Sequence, residues 1–322
     1  MKDYVFNGYD LEAAKKLDAF LPDKLFDAHM HISEFPFYNK EYFGFKEYYE
    51  EMAPLLCGRE VRCNALATPT DELKSAEGHL STIGFFKDQL DQYPQNVGEI
   101  LVKPEESAEE IERHLVHKNI KGLKCYHIYA SRPDTFNADI EEYLPTPACE
   151  VANKHKLAVT LHMVKDKALA DPENMRQIKK MAKAFPDMTL ILAHAARSFA
   201  AWTAIETVAE LCDLENVWYD FSGVCESPAM VQIINKIGVS RCMWGSDYNV
   251  SMSSGKAISL GDNFYWITGK DIESFVSKTP MRTWHTGTEN MMAVRQAAQL
   301  TDLSSADVEK LFYDNAARLF GE

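Results

Sequence analysis

The feature that most constrains this chain is a repeated alternation between short apolar segments and longer, helix-like ones. Eight short segments are rich in Val, Ile, Leu and aromatic residues: Leu25–Ile32, Val61–Ala67, Val97–Val102, Gly122–His127, Leu157–Met163, Met188–His194, Val217–Phe221 and Arg241–Ser246. They run almost continuously apolar, as strands covered on both faces do. The alternation therefore predicts buried parallel strands joined by helices.

Eight such units are the number that closes a (β/α)8, or TIM, barrel. The chain has 322 residues, which accommodates a barrel of ~250 residues with insertions and C-terminal helices. An open, doubly wound sheet is the alternative α/β fold, but no Gly-x-Gly-x-x-Gly follows any of the strands. We therefore expect a single barrel domain over residues 1–322.

Several segments between the strands carry signals for the start of a helix. Ser107-x-x-Glu110 has the spacing of a capping box. Asp171-Pro172 and Ser227-Pro228 each place a good N-cap residue before a proline at the first helical position. A last helix is expected from about Ser305 to Phe320, with its apolar residues on one face.

Two longer stretches are expected near the mouth of the barrel. Tyr248–Gly269 follows the eighth strand, so it would be an extended loop on the catalytic face that shapes or covers the site. Phe35–Tyr49 is rich in aromatic residues. It would either roof the pocket or pack against the barrel, and the sequence leaves both interpretations open.

Composition excludes some classes of protein. A net charge of -14 argues against a nucleic-acid binder, which needs a basic surface. Seven cysteines without a Cys-x-x-Cys pair suit a reducing compartment. No apolar stretch approaches transmembrane length, and Met1–Val5 has no signal-peptide character. We expect a cytoplasmic protein that acts on a small molecule, and a homo-oligomer remains open.

The first strand contains two histidines in Phe26-Asp27-Ala28-His29-Met30-His31-Ile32. Because strand side chains alternate, we expect Asp27, His29 and His31 to face the barrel interior. The other four residues, Phe26, Ala28, Met30 and Ile32, are expected to face the helices. Buried imidazoles are costly unless their lone pairs are bound. A divalent metal or a hydrogen-bonded pair of core histidines would satisfy them, and this motif alone favours neither.

Three other strands end in residues that bind metals. His162 ends the fifth strand, His194 ends the sixth and Asp247 follows the eighth. The carboxyl ends of barrel strands converge on one mouth, where barrel active sites lie. This convergence favours a metal site over isolated structural histidines. The remaining histidines at positions 79, 114, 117 and 155 are interpreted as surface residues.

These pieces resemble the amidohydrolase superfamily of metal-dependent barrel hydrolases. The resemblance is carried by Asp27-Ala28-His29-Met30-His31, His162, His194 and Asp247 in that order. The ending Asn315-Ala316-Ala317-Arg318-Leu319-Phe320-Gly321 is similar to the branch of aminocarboxymuconate semialdehyde decarboxylase-like decarboxylases and small lactonases.

The resemblance implies specific roles for these residues. It implies metal ligation by His29, His31, His162 and Asp247, with His194 beside the water or substrate. It implies one divalent ion rather than two, Zn²⁺ before Mn²⁺. Some superfamily members carry a carboxylated lysine at the position of Lys124, although in this branch that lysine is usually uncarboxylated.

Further side chains near the strand ends are candidate substrate contacts. Lys124, Tyr126 and His127 end the fourth strand, although Lys124 would equally pair with a buried acid and His127 would equally be structural. Arg132 and Arg197 follow strands four and six, where a guanidinium would grip a carboxylate or form a surface ion pair. Arg282 is a weaker candidate of the same kind.

The expected activity is hydrolysis of a lactone, ester or amide bond in a small molecule, with or without a carboxylate, by metal-activated water. Asp247 would carry the proton and His194 would polarise the carbonyl. Non-oxidative decarboxylation is the alternative, and a non-catalytic metal-dependent binding protein is a third class. Asp247 precedes Tyr248-Asn249 rather than the proline common in the branch, so a relative's substrate does not transfer.

Overall fold

The computed structural model describes residues 4–38, 40–274 and 284–321. Eight parallel strands lie side by side in chain order. They are β1 (Lys24–Ile32), β2 (Glu60–Ala67), β3 (Val97–Leu101), β4 (Ile120–Tyr126), β5 (Ala158–His162), β6 (Thr189–Leu192), β7 (Val217–Asp220) and β8 (Cys242–Met243). All eight predicted strands are confirmed.

The sheet closes between β1 and the chain that follows β8. The backbone N–H of Ala28 donates to the Trp244 carbonyl at 3.0 Å, and that of Asp247 donates to the His29 carbonyl at 2.8 Å. The fold is therefore the predicted (β/α)8 barrel. Its closure places the end of β8 directly beside the two histidines of β1.

Helices surround the barrel. They are α1 (Gly8–Asp18), α2 (Phe45–Leu56), α3 (Ala76–Gln92), α4 (Ala108–His114), α5 (Thr146–His155), α6 (Pro172–Ala184), α7 (Trp202–Thr207), α8 (Ser227–Ile237), α9 (Gly269–Ser274), α10 (Thr286–Leu300), α11 (Ser305–Glu309) and α12 (Asn315–Phe320). None of the described helices has the length and apolar character that crossing a bilayer requires.

Two of the predicted helix starts are confirmed and one is wrong. Ser107 and Glu110 form the capping box of α4, and Asp171 caps α6. Ser227 is not a cap, because α8 already includes it and Glu226 is the N-cap residue. The Ser227 hydroxyl instead donates to Gln296 on α10 at 2.8 Å.

The last predicted helix is interrupted. A π turn over Lys310–Asp314 joins α11 to α12. The Leu311 carbonyl within this turn accepts a hydrogen bond from the Trp244 N–H at 2.9 Å. A π turn leaves a backbone group without its usual helical partner, and here that group holds the C-terminal segment to the end of β8.

A β-bulge interrupts β1 just before the histidines. Asp27 pairs with Cys63 of β2, and Met30 pairs with Ala65, so three steps on β1 match two on β2. A bulge inverts the alternation of side chains from that point onward. The rule that alternate residues of a strand face the same side therefore does not hold across the bulge.

The bulge makes the orientations predicted for Phe26, Asp27 and Ala28 wrong. Phe26 and Ala28 pack with apolar residues of β3, β5, β6, β7 and β8, which meet only inside the barrel. Asp27 points outward, where it accepts a 2.7 Å hydrogen bond from the Tyr48 hydroxyl of α2. Asp27 therefore supports β1 from outside and does not face the interior with His29 and His31.

A layer of buried polar residues lies between this apolar cluster and the mouth of the barrel. Glu99 of β3 accepts hydrogen bonds from Asn64 at 2.7 Å and from the Thr160 hydroxyl at 2.9 Å. Burial raises the pKa of Glu99 to about 7, although these donors and Lys124 oppose the shift. The layer separates the packed lower half of the barrel from its mouth.

Candidate metal centre

Three of the predicted metal ligands meet at the barrel mouth. One ligand atom each of His29, His31 and Asp247 lies within 4.8 Å of the others, and all three residues are buried. Asp247 Oδ1 is 3.7 Å from His29 Nε2 and 3.5 Å from His31 Nε2. Two imidazoles and one carboxylate form a suitable donor set for a divalent transition metal.

Asp220, at the end of β7, orients His29 and was missed by sequence reasoning. His29 Nδ1 lies 3.0 Å from Asp220 Oδ2. Burial alone would raise the pKa of Asp220, but His29, His194 and Ser222 together hold it below its usual value, so the carboxylate is ionised and accepts. The only signal in the sequence was an acidic residue at the end of an apolar strand.

The Asp220 contact fixes the tautomer of His29. Because Nδ1 donates, Nε2 carries the lone pair, and this buried atom has no hydrogen-bond partner among the described residues. His29 Nε2 lies 3.7 Å from Asp247 Oδ1. A lone pair beside a carboxylate in a buried site is unfavourable, and a metal ion between them removes the conflict.

The histidines are in the protonation state that metal binding requires. Burial lowers the pKa of His29 to about 4 and also lowers those of His31 and His162. Burial would raise the pKa of Asp247, but His194 and His31 lower it overall. The site therefore presents neutral imidazoles and an ionised carboxylate at neutral pH.

His162 and His194 contact each other, but among the described residues they do not belong to the same group of potential metal ligands. His162 Nδ1 lies 3.2 Å from His194 Nε2, and His194 Nδ1 donates to the Ser222 carbonyl at 3.0 Å. His194 forms a second potential group with His29 and Asp220, whereas His162 belongs to none of the groups in the described chain. The assignment of His162 as ligand and His194 as its catalytic neighbour stays a prediction.

The backbone that carries His194 is strained. The predicted strand ends earlier, at Leu192, and His194, Ala195, Ala196 and Arg197 follow with φ angles of 58°, 52°, 59° and 54°. Each left-handed residue with a Cβ costs about 1–2 kcal/mol. Such strain persists where the surrounding structure enforces it, often at functional sites. Here it places the His194 ring against Ser222.

Lys124 is fully buried beneath this site. No described carboxylate lies within 4.0 Å of its ammonium group, and Nζ has no hydrogen-bond partner among the described residues. Nζ lies 4.8 Å from the ring centroid of Tyr126. Burial lowers the pKa of Lys124, while Glu99 and Asp220 oppose the shift.

Tyr126 and His127 lie beside the predicted ligands. The Tyr126 ring is 5.8 Å from that of His162, and the His127 ring is 6.1 Å from it. His127 Nδ1 also lies 3.1 Å from the Thr135 carbonyl, which fixes the ring. Both residues are therefore positioned at the mouth, as a substrate contact requires.

The three arginines have different surroundings. Arg197 Nη1 donates to the Lys165 carbonyl at 3.0 Å. Burial lowers the pKa of His127, and the positive charge of Arg197 adds to this effect. Arg132 instead pairs with Glu142 at 3.0 Å, in the surface arrangement that the sequence left open. Arg282 lies outside the described residues.

The stretch after β8 forms a β-hairpin that reaches this site. Its strands are β9 (Gly255–Leu260) and β10 (Asn263–Thr268). Phe264 and Trp266 contact the Phe199 ring at 4.9 and 5.6 Å, and Phe199 stacks on His194 at 5.6 Å. The loop after β8 therefore contacts His194 indirectly, through the Phe199 ring.

Most of the chain is similar to a known protein family. Residues 85–321 match the family model described as amidohydrolase. No curated protein matches the chain significantly. The matched range includes His162, His194 and Asp247, and it begins after the two histidines of β1.

Solved structures share the fold at low sequence identity. An amidohydrolase from Burkholderia multivorans with bound zinc is 13% identical over 92% of this chain and 98% of that chain, with a TM-score of 0.60. A 5-carboxyvanillate decarboxylase from Novosphingobium aromaticivorans with bound manganese is 14% identical over 84% and 80%, at 0.54. A protein assigned as a 2-pyrone-4,6-dicarboxylic acid hydrolase from Pseudomonas putida is 15% identical over 94% and 98%, at 0.56.

Proposed function

Since the chain belongs to the amidohydrolase family, we propose that it is a metal-dependent hydrolase acting on a lactone, ester or amide bond of a small molecule. The observation that carries the proposal is the group of His29, His31 and Asp247, in which the buried Nε2 of His29 lies beside a carboxylate and has no hydrogen-bond partner in the described part of the chain. This donor set suits a divalent cation.

The ligand set proposed for that ion is His29, His31, His162 and Asp247. Zn²⁺ is the preferred ion because imidazole and carboxylate ligands suit it, with Mn²⁺ as the alternative. A bound ion would supply Lewis-acid activation of water and of the substrate carbonyl. We propose one such ion at the barrel mouth.

The proton transfers are assigned to Asp247. Its ionised carboxylate accepts the proton of the attacking water and then delivers it to the leaving group. His194 stabilises the negative charge that develops on the carbonyl oxygen. The His194 Nδ1–H donates to the Ser222 carbonyl and its backbone N–H donates to Asp220, so these two contacts hold the ring in place for this role.

A carboxylated substrate is proposed from the cationic groups around the site. Arg197 uses Nη1 for the Lys165 carbonyl, and no described residue bonds its Nη2. Its fork is therefore available for a carboxylate. Tyr126 and His127 are proposed to contact the remainder of the substrate.

Non-oxidative decarboxylation is the second candidate, favoured by Lys124. Lys124 Nζ is buried with no carboxylate within 4.0 Å in the described chain, so a substrate carboxylate would be a suitable partner for it. The same four residues would hold the metal ion that orients a carboxylated substrate, and a proton would be added to a ring or enol carbon as the bond to the carboxylate breaks and carbon dioxide leaves.

Product analysis distinguishes the two reactions. The zinc- or manganese-loaded protein is incubated with panels of lactones, esters, amides and aromatic carboxylic acids, and the products are analysed by mass spectrometry. A hydrolase yields products that have gained water, whereas a decarboxylase releases carbon dioxide. Turnover of neither panel, with the metal retained, would instead favour the binding-protein alternative.

Asp247→Asn tests the proton carrier. We expect a folded protein whose kcat is reduced by ~10³, because the amide keeps an oxygen ligand but cannot accept the proton. Asp262→Asn, on the exposed hairpin turn, is the matched control and should retain full activity. Near-normal turnover in a metal-loaded Asp247→Asn protein would contradict the proposed mechanism.

A further inference from the structure

A second cluster of metal-binding side chains lies outside the barrel. It consists of His79 on α3, Glu106 in the segment after β3, and His114 at the end of α4. One ligand atom of each lies within 4.8 Å of the others. The interpretation of His79 as a surface residue is wrong, since only 3% of it is exposed.

The hydrogen bond of His79 fixes which ring nitrogen carries the lone pair. His79 Nε2 lies 3.0 Å from the Leu101 carbonyl, which can only accept. Nε2 is therefore protonated and Nδ1 carries the lone pair when the ring is neutral. Nδ1 lies 3.8 Å from Glu106 Oε1. A histidine held by a carbonyl on one nitrogen, with the other facing a ligand, is the usual arrangement at metal sites.

Glu106 presents an unsatisfied oxygen to the same point. Its Oε2 accepts a 2.6 Å hydrogen bond from the Lys103 N–H. Its Oε1 is buried without a hydrogen-bond partner in the part of the chain that the structure describes, and the residue is 8% exposed. His114 Nδ1 lies 3.0 Å from Oε1, without hydrogen-bond geometry. Two ring nitrogens and one carboxylate oxygen therefore face each other.

The surrounding charges leave this cluster available for a cation. The Lys103 ammonium lies 3.2 Å from Glu105 and is paired there. Burial lowers the pKa of His79 to about 4 and lowers that of His114, while burial raises that of Glu106 to about 7. Neutral rings around a carboxyl group bring several lone pairs close together. Either a shared proton or a bound metal ion would remove this conflict.

We propose that His79 Nδ1, Glu106 Oε1 and His114 Nδ1 bind a divalent transition metal of the zinc class, at a site separate from the barrel mouth. Two histidines and one glutamate are a known zinc ligand set that leaves a fourth position for water. His114 is half-buried, which opens that position to solvent. The ion would fasten α3 to α4 and to the segment after β3.

The first test locates the ion in the unaltered protein. Full-length protein is loaded with Zn²⁺, dialysed against buffer, crystallised, and measured on both sides of the zinc absorption edge. We expect an anomalous peak enclosed by His79, Glu106 and His114, in addition to any peak at the barrel mouth. Absence of a peak at this cluster in zinc-loaded crystals would overturn the proposal and leave a shared proton as the explanation.

The second test measures zinc content in solution. Glu106→Gln should lower bound zinc by about one equivalent, because the amide is a much weaker ligand. His155→Asn is the matched control, since His155 forms a similar pair with Glu112 of α4 at 3.1 Å, but on the surface and without a third potential ligand among the described residues. The control should bind as much zinc as the wild type. Equal zinc content in all three proteins would contradict the proposal.

A third variant separates this site from the proposed active site. The double variant His29→Ala/His31→Ala should lose zinc at the barrel mouth but keep the zinc that Glu106→Gln removes. If the double variant loses all its zinc, the second site does not bind the ion independently and the proposal is wrong. If it loses none, the proposed ligands at the barrel mouth are wrong instead, whereas the second site stands.

Discussion

At the scale of single residues, the candidate active site depends on an acidic side chain that touches two histidines. Asp220 accepts from the His29 ring at 3.0 Å and from the His194 backbone N–H at 3.1 Å. It also accepts from the Ser222 hydroxyl. One carboxylate thereby sets the tautomer of a proposed ligand and the position of a proposed catalytic group.

Asp220→Asn should weaken metal binding without preventing folding. The amide loses the charge that holds the His29 Nδ1–H, so the zinc dissociation constant should rise by ~10–100-fold, as when other supporting partners of metal ligands are changed. Competition against a coloured zinc chelator measures it. Glu99→Gln, a second buried carboxyl that contacts no histidine, is the control. An unchanged affinity in Asp220→Asn would rule out the orienting role.

At the scale of elements, the hairpin β9–β10 in the stretch after β8 packs against residues of the candidate site. The side chain of Phe264 packs on Phe199 and lies under the Arg197 guanidinium, which is 5.5 Å from its ring centroid. Tyr265 is the next residue on β10, and 51% of it is exposed. The two faces of one strand therefore differ in whether they reach the site.

Phe264→Ala should lower kcat/KM by ~10-fold while hardly changing the melting temperature. Removing the ring frees Phe199 and Arg197, which lie beside His194 and the proposed carboxylate position, so the substrate is held less well. Tyr265→Ala is the control, because its side chain points away from the site. Steady-state kinetics on the substrate found by product analysis checks this. Equal effects of both changes would show that the hairpin acts only through its general stability.

At the scale of the whole molecule, buried titratable groups couple folding to pH in two opposite directions. His29, His79 and His285 have pKa values lowered to about 4, with burial as the largest cause. Between pH ~6.5 and ~4 the unfolded chain binds protons that these neutral rings do not, so each destabilises the fold as pH falls. Burial raises the pKa of Glu99 from 4.5 to about 7. The folded state therefore holds this proton more tightly than the unfolded chain, and the carboxyl group destabilises the fold as pH rises from 4.5 to about 7.

His285→Leu isolates one of these contributions, because the ring is fully buried. A pKa lowered from 6.5 to about 4 corresponds to about 3 kcal/mol of stability lost across that range. From pH 7 to pH 4.5, the urea-unfolding free energy should therefore fall by about 2 kcal/mol less in the variant than in the wild type. Measurements are made with chelator present, so that metal binding does not contribute.

His155→Asn serves as the control for this titration, since that ring is exposed. A wild-type pH dependence in His285→Leu would mean that the ring is not kept neutral in the folded protein.

The sequence by itself determined the barrel. Each strand is a short, nearly continuous apolar run, such as Leu190-Ile191-Leu192, because both of its faces are covered by the same kinds of neighbour. The histidines of β1 and the aspartate after β8 were likewise visible, because the carboxyl ends of parallel strands must meet. These features depend on local composition and on the order of strands, which a single sequence contains.

Only the tertiary structure decided the details that make a site. The bulge that turns Asp27 outward depends on the register of β1 against β2, which no residue of β1 specifies alone. In the sequence, Asp220, His79 and Glu106 are isolated titratable residues. Asp220 contacts His29, 191 positions away, and His79 contacts Glu106, 27 positions away, and these contacts give the residues their proposed roles. Side-chain contacts between distant segments follow from packing, register and backbone strain, and these are properties of the folded chain.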